Sequence, residues 1–216
     1  MDNDTKQFIE VVAKAGLSII PVVGSPVIEI YDAIKGDSLR RWQNDWIEKV
    51  EQRLSCIEKD IADLGGNEVF ASTVIQATRA ALQTSENEKR EWLANAVCNT
   101  IDMPIEESVA SIFVDLISHY TVWHIKILMY FDNPKSYYNK GEVKYMLTSP
   151  FNFLILSFDE CKSHEELFKK IVRDLQNDGM ITQFDPFTMM SLDGALAKRT
   201  TQLGSQLLSF INNGEE

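Results

Sequence analysis

The sequence has few of the residues from which catalytic and metal sites are built. Its three histidines and three cysteines are scattered along the chain: His119, His124 and His164; Cys56, Cys98 and Cys161. No CxxC pair, HExxH, GxSxG, GxxxxGK[ST] or GxGxxG pattern occurs. We therefore expect no enzymatic activity, no metal, no cofactor and no small-molecule substrate.

Positive charge is also scarce. The chain has 21 Lys and Arg against 32 Asp and Glu, a formal net charge of −11. Such a balance repels a phosphate backbone, so it predicts no generic binding to nucleic acid. Sparse, unpaired cysteines are typical of a reducing compartment, and the start Met1-Asp2-Asn3-Asp4 lacks the basic residues of a secretory signal. We expect a cytoplasmic protein.

The N-terminal region, residues 8–34, is apolar but interrupted. Its uncharged run, residues 15–28, holds 14 residues and contains Gly16, Pro21, Gly24 and Pro26. A single membrane-spanning helix takes about 18 residues or more, so this run is too short for an ordinary span. Two interpretations follow: a buried helical hairpin bent at the prolines, which the composition favours, or a segment that inserts into the inner membrane or lies on it.

The membrane hypothesis assigns binding to the apolar side chains of this run and to two tryptophans that follow it. These candidate residues, for a membrane or a partner, are Ile19, Ile20, Val22, Val23, Val27, Ile28, Trp42 and Trp46. The tryptophans belong to an amphipathic stripe over residues 38–64: Leu39, Trp42, Trp46, Val50, Leu54, Ile57, Ile61 and Leu64. Their spacing favours core packing over an interfacial role.

Further helices are predicted up to Pro134. Asn67 is a candidate N-cap for a helix with one apolar face, formed by Phe70, Val74, Ala77 and Ala81. Ser85–Glu88 has the sequence of a capping box. A later helix places these apolar residues on one face: Val109, Ile112, Phe113, Leu116 and Tyr120. Thr121 is expected to cap the next helix, which Asp132-Asn133-Pro134 ends.

The C-terminal part has a different pattern. The apolar run 151–158 fits either a strand or a buried helical turn, and Ser163–Glu166 is a second candidate capping box. A helix over 164–177 ending at Gly179, strands at 180–184 and 197–200, and a last helix to Ile211 are predicted.

This order resembles a winged-helix domain over residues 121–216. The resemblance rests on Asp174-Leu-Gln-Asn-Asp-Gly-Met-Ile181, a short hairpin, and Thr200-Thr-Gln-Leu-Gly204 opening a helix. It implies a two-stranded wing after the glycine. DNA reading would require a basic recognition helix. The candidate helix has Lys169, Lys170 and Arg173 but three acidic residues as well, which favours a packing or protein-binding role.

The whole layout resembles the bacterial Abi-alpha proteins, which are linked to abortive infection by phage. The similar features are the apolar Gly/Pro segment, a long charged helix, the stretch Glu88-Lys-Arg-Glu-Trp-Leu-Ala-Asn-Ala-Val97, and the winged-helix-like C-terminus. The resemblance implies a bacterial defence protein that is cytoplasmic or membrane-associated.

The sequence thus predicts a mainly α protein, with a helical bundle at 1–120 and a small winged-helix-like domain with a short β-hairpin at 121–216. Three functions remain open. They are a non-enzymatic defence or toxicity effector that engages the membrane through residues 8–34, a helical adaptor that binds a protein partner, and a winged-helix transcription regulator. A protein partner or self-association is expected in the first two.

Overall fold

The computed structural model describes residues 27–54, 67–137 and 147–212, with side chains from Arg40 onward. The described chain is mainly helical and carries a two-stranded antiparallel sheet. It divides into two compact units, Met1–His119 with Phe210–Glu216, and Tyr120–Ser209. The division made from the sequence put the last residues with the C-terminal domain.

The described part of the first unit, residues 27–54 and 67–119, contains four helices. They are α1 (Val27–Leu54), α2 (Glu68–Leu82), α3 (Asn87–Asp102) and α4 (Glu107–His119). Helix α1 packs on α2 and α3, and α4 packs on the same two helices. The core of the unit therefore lies along α2 and α3.

Helix α2 has the predicted start and the predicted buried face. The Asn67 side chain accepts a hydrogen bond from the backbone N–H of Phe70 at 3.1 Å, which satisfies one amide left open at the helix start. The apolar residues of the stripe are all buried: Phe70, Val74, Ala77 and Ala81. Small alanines on this face allow α1, α3 and α4 to approach closely.

Two expectations in α3 and α4 are wrong. The capping box at Ser85 is not formed, because α3 begins at Asn87 and its N-cap, Glu86, makes no side-chain capping bond. Ile112 is 54% exposed rather than part of the core. In α4 the buried stripe is shifted by a fraction of a turn, to Ala110, Phe113, Val114 and Ile117.

Helix α1 also differs from the prediction. The sequence placed its start at Asp37 or Ser38, yet the helix begins at Val27 and runs through Gly36 without a break. Glycine in a helix interior costs only about 1 kcal/mol relative to alanine, so a long helix tolerates one. The predicted apolar positions after Leu54 lie outside the described residues.

The second unit contains α5 (Val122–Asp132), a 3₁₀ turn (Pro134–Tyr137), β1 (Leu147–Thr148), α6 (Pro150–Ser157), α7 (Asp159–Ser163), α8 (Glu165–Asn177), β2 (Met190–Ser191) and α9 (Leu192–Ala195). Helix α10 (Gln202–Ile211) starts in this unit, and its last two residues are grouped with the first. Helices α5 and α8 pack on each other.

The apolar run 151–158 is a helix. Pro150 occupies its first turn, and Ser149 caps it by accepting the N–H of Asn152 at 3.2 Å. The second capping box is not formed, since His164 is the N-cap of α8 and makes no side-chain capping bond. A local pattern of Ser and Glu therefore failed to define the helix start in both places where a capping box was predicted.

The strands predicted at 180–184 and 197–200 are present only as a single β-bridge. Ile181 and Thr200 form an isolated antiparallel bridge, next to a 2.8 Å bond from the Thr182 N–H to the Arg199 carbonyl. The two-stranded sheet lies elsewhere, where Leu147 pairs with Ser191 and Thr148 with Met190. The intervening loop folds back and pairs with the strand before α6 rather than lengthening the bridge.

The turn from α8 to α10 is closed by two glycines with different tasks. Gly179 ends α8 with φ +71°, a conformation that favours glycine. The Thr201 hydroxyl accepts the Gly204 N–H at 3.0 Å, and the Thr201 N–H donates to the Met180 carbonyl at 3.0 Å. A side chain on Gly204 would approach that carbonyl oxygen to less than 3.0 Å. Only glycine at position 204 allows α10 to begin this close to the Met180 carbonyl.

Candidate functional site

Few of the residues that the sequence assigned to membrane or partner binding are described in full. Ile19, Ile20, Val22 and Val23 lie outside the described residues. Val27 and Ile28 form the first turn of α1, and their side chains are not described. Trp42 is half-buried and Trp46 is 2% exposed. The candidate site that can be described is therefore the C-terminal half of α1, where it joins the bundle.

Trp46 fixes this half of α1 to α2. Its indole Nε1–H donates to the Thr78 hydroxyl at 3.2 Å, and both residues are buried. One turn later Val50 is also buried. A buried indole contributes a large apolar area and needs one partner for its N–H, and both conditions are met here. This is the core packing that the spacing favoured.

Ion pairs fix the same half of α1 to α3. Arg90 Nε lies 2.5 Å from Asp45 Oδ2, and Lys49 Nζ lies 2.6 Å from Glu91 Oε1 and 3.0 Å from Asp45 Oδ1. Arg53 also pairs with Glu91. Three cations thus share two carboxylates along one helix contact, which is a network rather than an isolated surface pair.

The pKa values of these groups follow from the pairing. Partial burial disfavours the charged forms, but the partners outweigh it. Arg90 and Lys49 hold the pKa of Asp45 below its usual value, and Lys49 and Arg53 do the same for the pKa of Glu91. Glu91 and Asp45 raise the pKa of Lys49. Asp45, Glu91 and Lys49 therefore stay charged through the neutral range.

A second cluster, in the second unit, was missed by the sequence analysis. Tyr120 and His124 stack with ring centroids 4.7 Å apart. The Tyr120 hydroxyl donates to Asp178 Oδ2 at 2.7 Å, and His124 Nε2 lies 3.4 Å from Asp174 Oδ2, which also pairs with Lys170. The spacing of four between Tyr120 and His124 was a usable signal, but the partners are some fifty residues away.

The hydrogen bonds of His124 determine which ring nitrogen carries the proton of the neutral side chain. Its Nδ1 accepts the Thr121 N–H at 3.1 Å, so the neutral ring carries its proton on Nε2, which faces Asp174. Burial lowers the pKa of His124, and the nearby Asp174 only partly opposes this. The ring therefore serves as the acceptor that closes the start of α5, with both nitrogens engaged inside the protein.

The described residues show no arrangement for metal binding. Within 27–54, 67–137 and 147–212, no group of three His, Cys, Asp or Glu side chains could hold a metal ion. In the same ranges no helix combines the length and apolar character needed to cross a membrane. The fold and this site define a mainly helical protein whose described polar clusters hold helices together.

Comparison with protein-family models, with curated proteins and with solved structures found no match for the chain.

Proposed function

We propose that this protein is a non-enzymatic bacterial defence effector that engages the inner membrane through residues 8–34. The observation that carries the proposal is the form of α1. This helix begins at Val27, inside the apolar region, and is fixed to the bundle at its other end by Trp46 and the ion network. The apolar region is thus attached to a helix with one firmly held end.

The length of α1 gives this attachment a mechanical consequence. A helix of 28 residues is about 40 Å long at ~1.5 Å per residue. Because α1 continues through Gly36, its first turn is joined to Trp46 by unbroken helix rather than by a loop. Movement of the first turn of α1 therefore acts directly on the contact of α1 with α2 and α3.

The composition of the apolar region suits association within lipid. Gly16, Ser18, Gly24 and Ser25 are small residues that permit close approach of helices, which drives packing where no hydrophobic effect is available. With 14 uncharged residues the run does not span a bilayer as one straight helix, so several copies acting together fit it better than one. The resting protein is cytoplasmic, and the active form is membrane-bound.

Release of a dye from anionic lipid vesicles tests this function. Wild-type protein is expected to release the dye, and Ile19→Asp is expected to abolish release, since a charge in the apolar run is costly in lipid. Ile75→Asp is the matched control, because Ile75 is 44% exposed on α2 and lies outside the run. Tight vesicles with wild type, or equal release by Ile19→Asp, contradicts the proposal.

An adaptor that binds a protein partner is the second candidate function, and one observation favours it. Leu147, Phe187 and Met189 are 59%, 46% and 55% exposed around the small sheet of the second unit. Exposed apolar side chains on and beside one small sheet are typical of protein contacts. Stable co-purification of a partner with wild type but not with Met189→Asp supports this function.

The winged-helix interpretation of residues 121–216 is supported by the Gly179 turn, the Ile181–Thr200 bridge and the Thr201–Gly204 start of α10. A role in transcription has less support. On the candidate recognition helix, Lys169 pairs with Glu165 and Glu166, and Lys170 pairs with Asp174. Their charges are offset, so we expect no salt-dependent retention on duplex DNA.

A further inference from the structure

The last residues of α10 are bound by two asparagines of α3. Asn95 Nδ2 donates to the Ile211 carbonyl at 2.7 Å, and Asn99 Nδ2 donates to the carbonyls of Phe210 and Asn212, each at 2.9 Å. The final carbonyls of a helix have no partner within the helix, so these side chains satisfy them. We call residues Phe210–Asn212 the C-terminal latch.

The latch is also held by apolar packing in the first unit. Phe210 is fully buried, and its ring lies 5.5 Å from that of Phe113 on α4. Ile211 is 1% exposed. A short segment near the end of the chain is therefore bound as firmly as a core element.

Asn95 connects the latch to α1. Its amide oxygen accepts a hydrogen bond from Arg53 Nε, while its amide nitrogen donates to Ile211. Asn95 is 6% exposed, so water does not readily replace either partner. The same planar amide group makes both hydrogen bonds. When the bond to the Ile211 carbonyl is lost, the Asn95 side chain is free to rotate, and its bond to Arg53 weakens as a result.

Arg53 gives this connection its effect on the helix. It bonds to Asn95, to Glu91 and, through Nη1, to the Lys49 carbonyl of its own helix at 3.0 Å. The arginine thus joins the last turn of α1, the ion network and the latch. Displacing the latch removes support from the C-terminal half of α1, the half that holds the helix on the bundle.

We propose that residues Phe210–Asn212 form an autoinhibitory latch, which acts through Asn95 and Arg53 to keep α1 on the bundle. Withdrawal of the latch releases the C-terminal half of α1 from the bundle. This regulation rests on the proposed function, because inhibition has a meaning only if α1 controls membrane engagement. The coupling between the latch and α1 can be measured without a membrane.

Hydrogen exchange of the full chain, read by mass spectrometry, tests the coupling. Asn99→Asp turns the donor that faces the carbonyls of Phe210 and Asn212 into a repelling oxygen and leaves Asn95 and Arg53 unchanged. Asn99→Leu removes the same donor without adding a charge at this half-buried position, and it is a second and milder variant in case the first does not fold. Asn44→Asp adds the same charge at an exposed position of α1 and is the control.

Exchange over residues 45–54 is expected to become roughly tenfold faster in Asn99→Asp and faster to a smaller extent in Asn99→Leu, which is the effect of losing hydrogen bonds to the latch. Helix α2 is expected to keep its wild-type rate, as is the control throughout. Faster exchange of 205–211 with no change at 45–54, or equal acceleration in α2, contradicts the coupling between the latch and α1.

Dye release from the same vesicles separates the two proposals. Greater release by the latch variants than by wild type supports autoinhibition. Tight vesicles together with faster exchange at 45–54 remove the membrane function and leave the coupling established. If the latch variants show faster exchange at 45–54 but release less dye than wild type, the latch does not inhibit membrane engagement.

Discussion

Replacing Gly204 by alanine gives the sharpest stability prediction. In an ordinary helix this change stabilises by about 1 kcal/mol. Here the new methyl group would lie less than 3.0 Å from the Met180 carbonyl oxygen and 3.3 Å from Leu128 Cδ1. A backbone oxygen held by the Thr201 N–H cannot move aside as a flexible side chain does.

The magnitude follows from what must shift. Moving α10 away from Met180 weakens the bonds of the Thr201 N–H and hydroxyl, each of which contributes about 1 kcal/mol. Overpacking in a tight contact adds about 1–3 kcal/mol. After allowing for the gain in helix propensity, we expect Gly204→Ala to lower the free energy of unfolding by about 3 kcal/mol.

Gly179→Ala is the matched comparison. A Cβ at Gly179 meets nothing within 4 Å, so the only cost is the left-handed conformation at φ +71°, about 1–2 kcal/mol. Urea unfolding followed by circular dichroism measures both variants, and the Gly204→Ala midpoint is expected to fall by about 1 M or more. A Gly204→Ala protein as stable as wild type, or more stable than Gly179→Ala, would refute the argument.

Three further predictions concern side chains. Trp46→Phe is expected to lower the free energy of unfolding by about 2 kcal/mol, and by less in a Thr78→Val background, because that background already lacks the hydrogen bond between the two side chains. Equal losses in both backgrounds, measured by urea unfolding, argue against that bond. The lowered pKa of His124 means that the folded state binds a proton less readily than the unfolded state, so stability is full above pH 6.5 and falls as the pH drops below it. His124→Gln is expected to flatten that slope between pH 7 and 5, and an unchanged slope shows that other groups cause it. Burial raises the pKa of Cys161 to about 12, so a thiol reagent is expected to leave it unlabelled in the native protein; rapid labelling contradicts its burial.

Most helices of the described chain could be predicted where one local signal was sufficient. Asn67 caps α2, Thr121 precedes α5, and Gly179 follows α8, as expected. The capping boxes at Ser85 and Ser163 failed although their sequences were suitable. A box stabilises a helix start by only about 1 kcal/mol, so packing of the neighbouring chain can place the start one or two residues away.

The candidate site was less predictable. Burial of Trp46 was favoured from its stripe, since spacing defines the face of a helix. Its partner Thr78 and the pairing of Arg53 with Asn95 join positions more than thirty residues apart. No periodicity in one segment contains that information.

By itself, the amino-acid sequence determined the mainly helical class, the buried face of α2, the burial of Trp46 and the acidic net charge, because these follow from spacing and composition within single segments. Tertiary structure alone decided the run of α1 through Gly36, the helix at residues 150–157, the single Ile181–Thr200 bridge and the binding of Phe210–Asn212 by α3. Each of these is a choice between local conformations of similar free energy. In such cases the contacts made with distant parts of the chain decide the outcome.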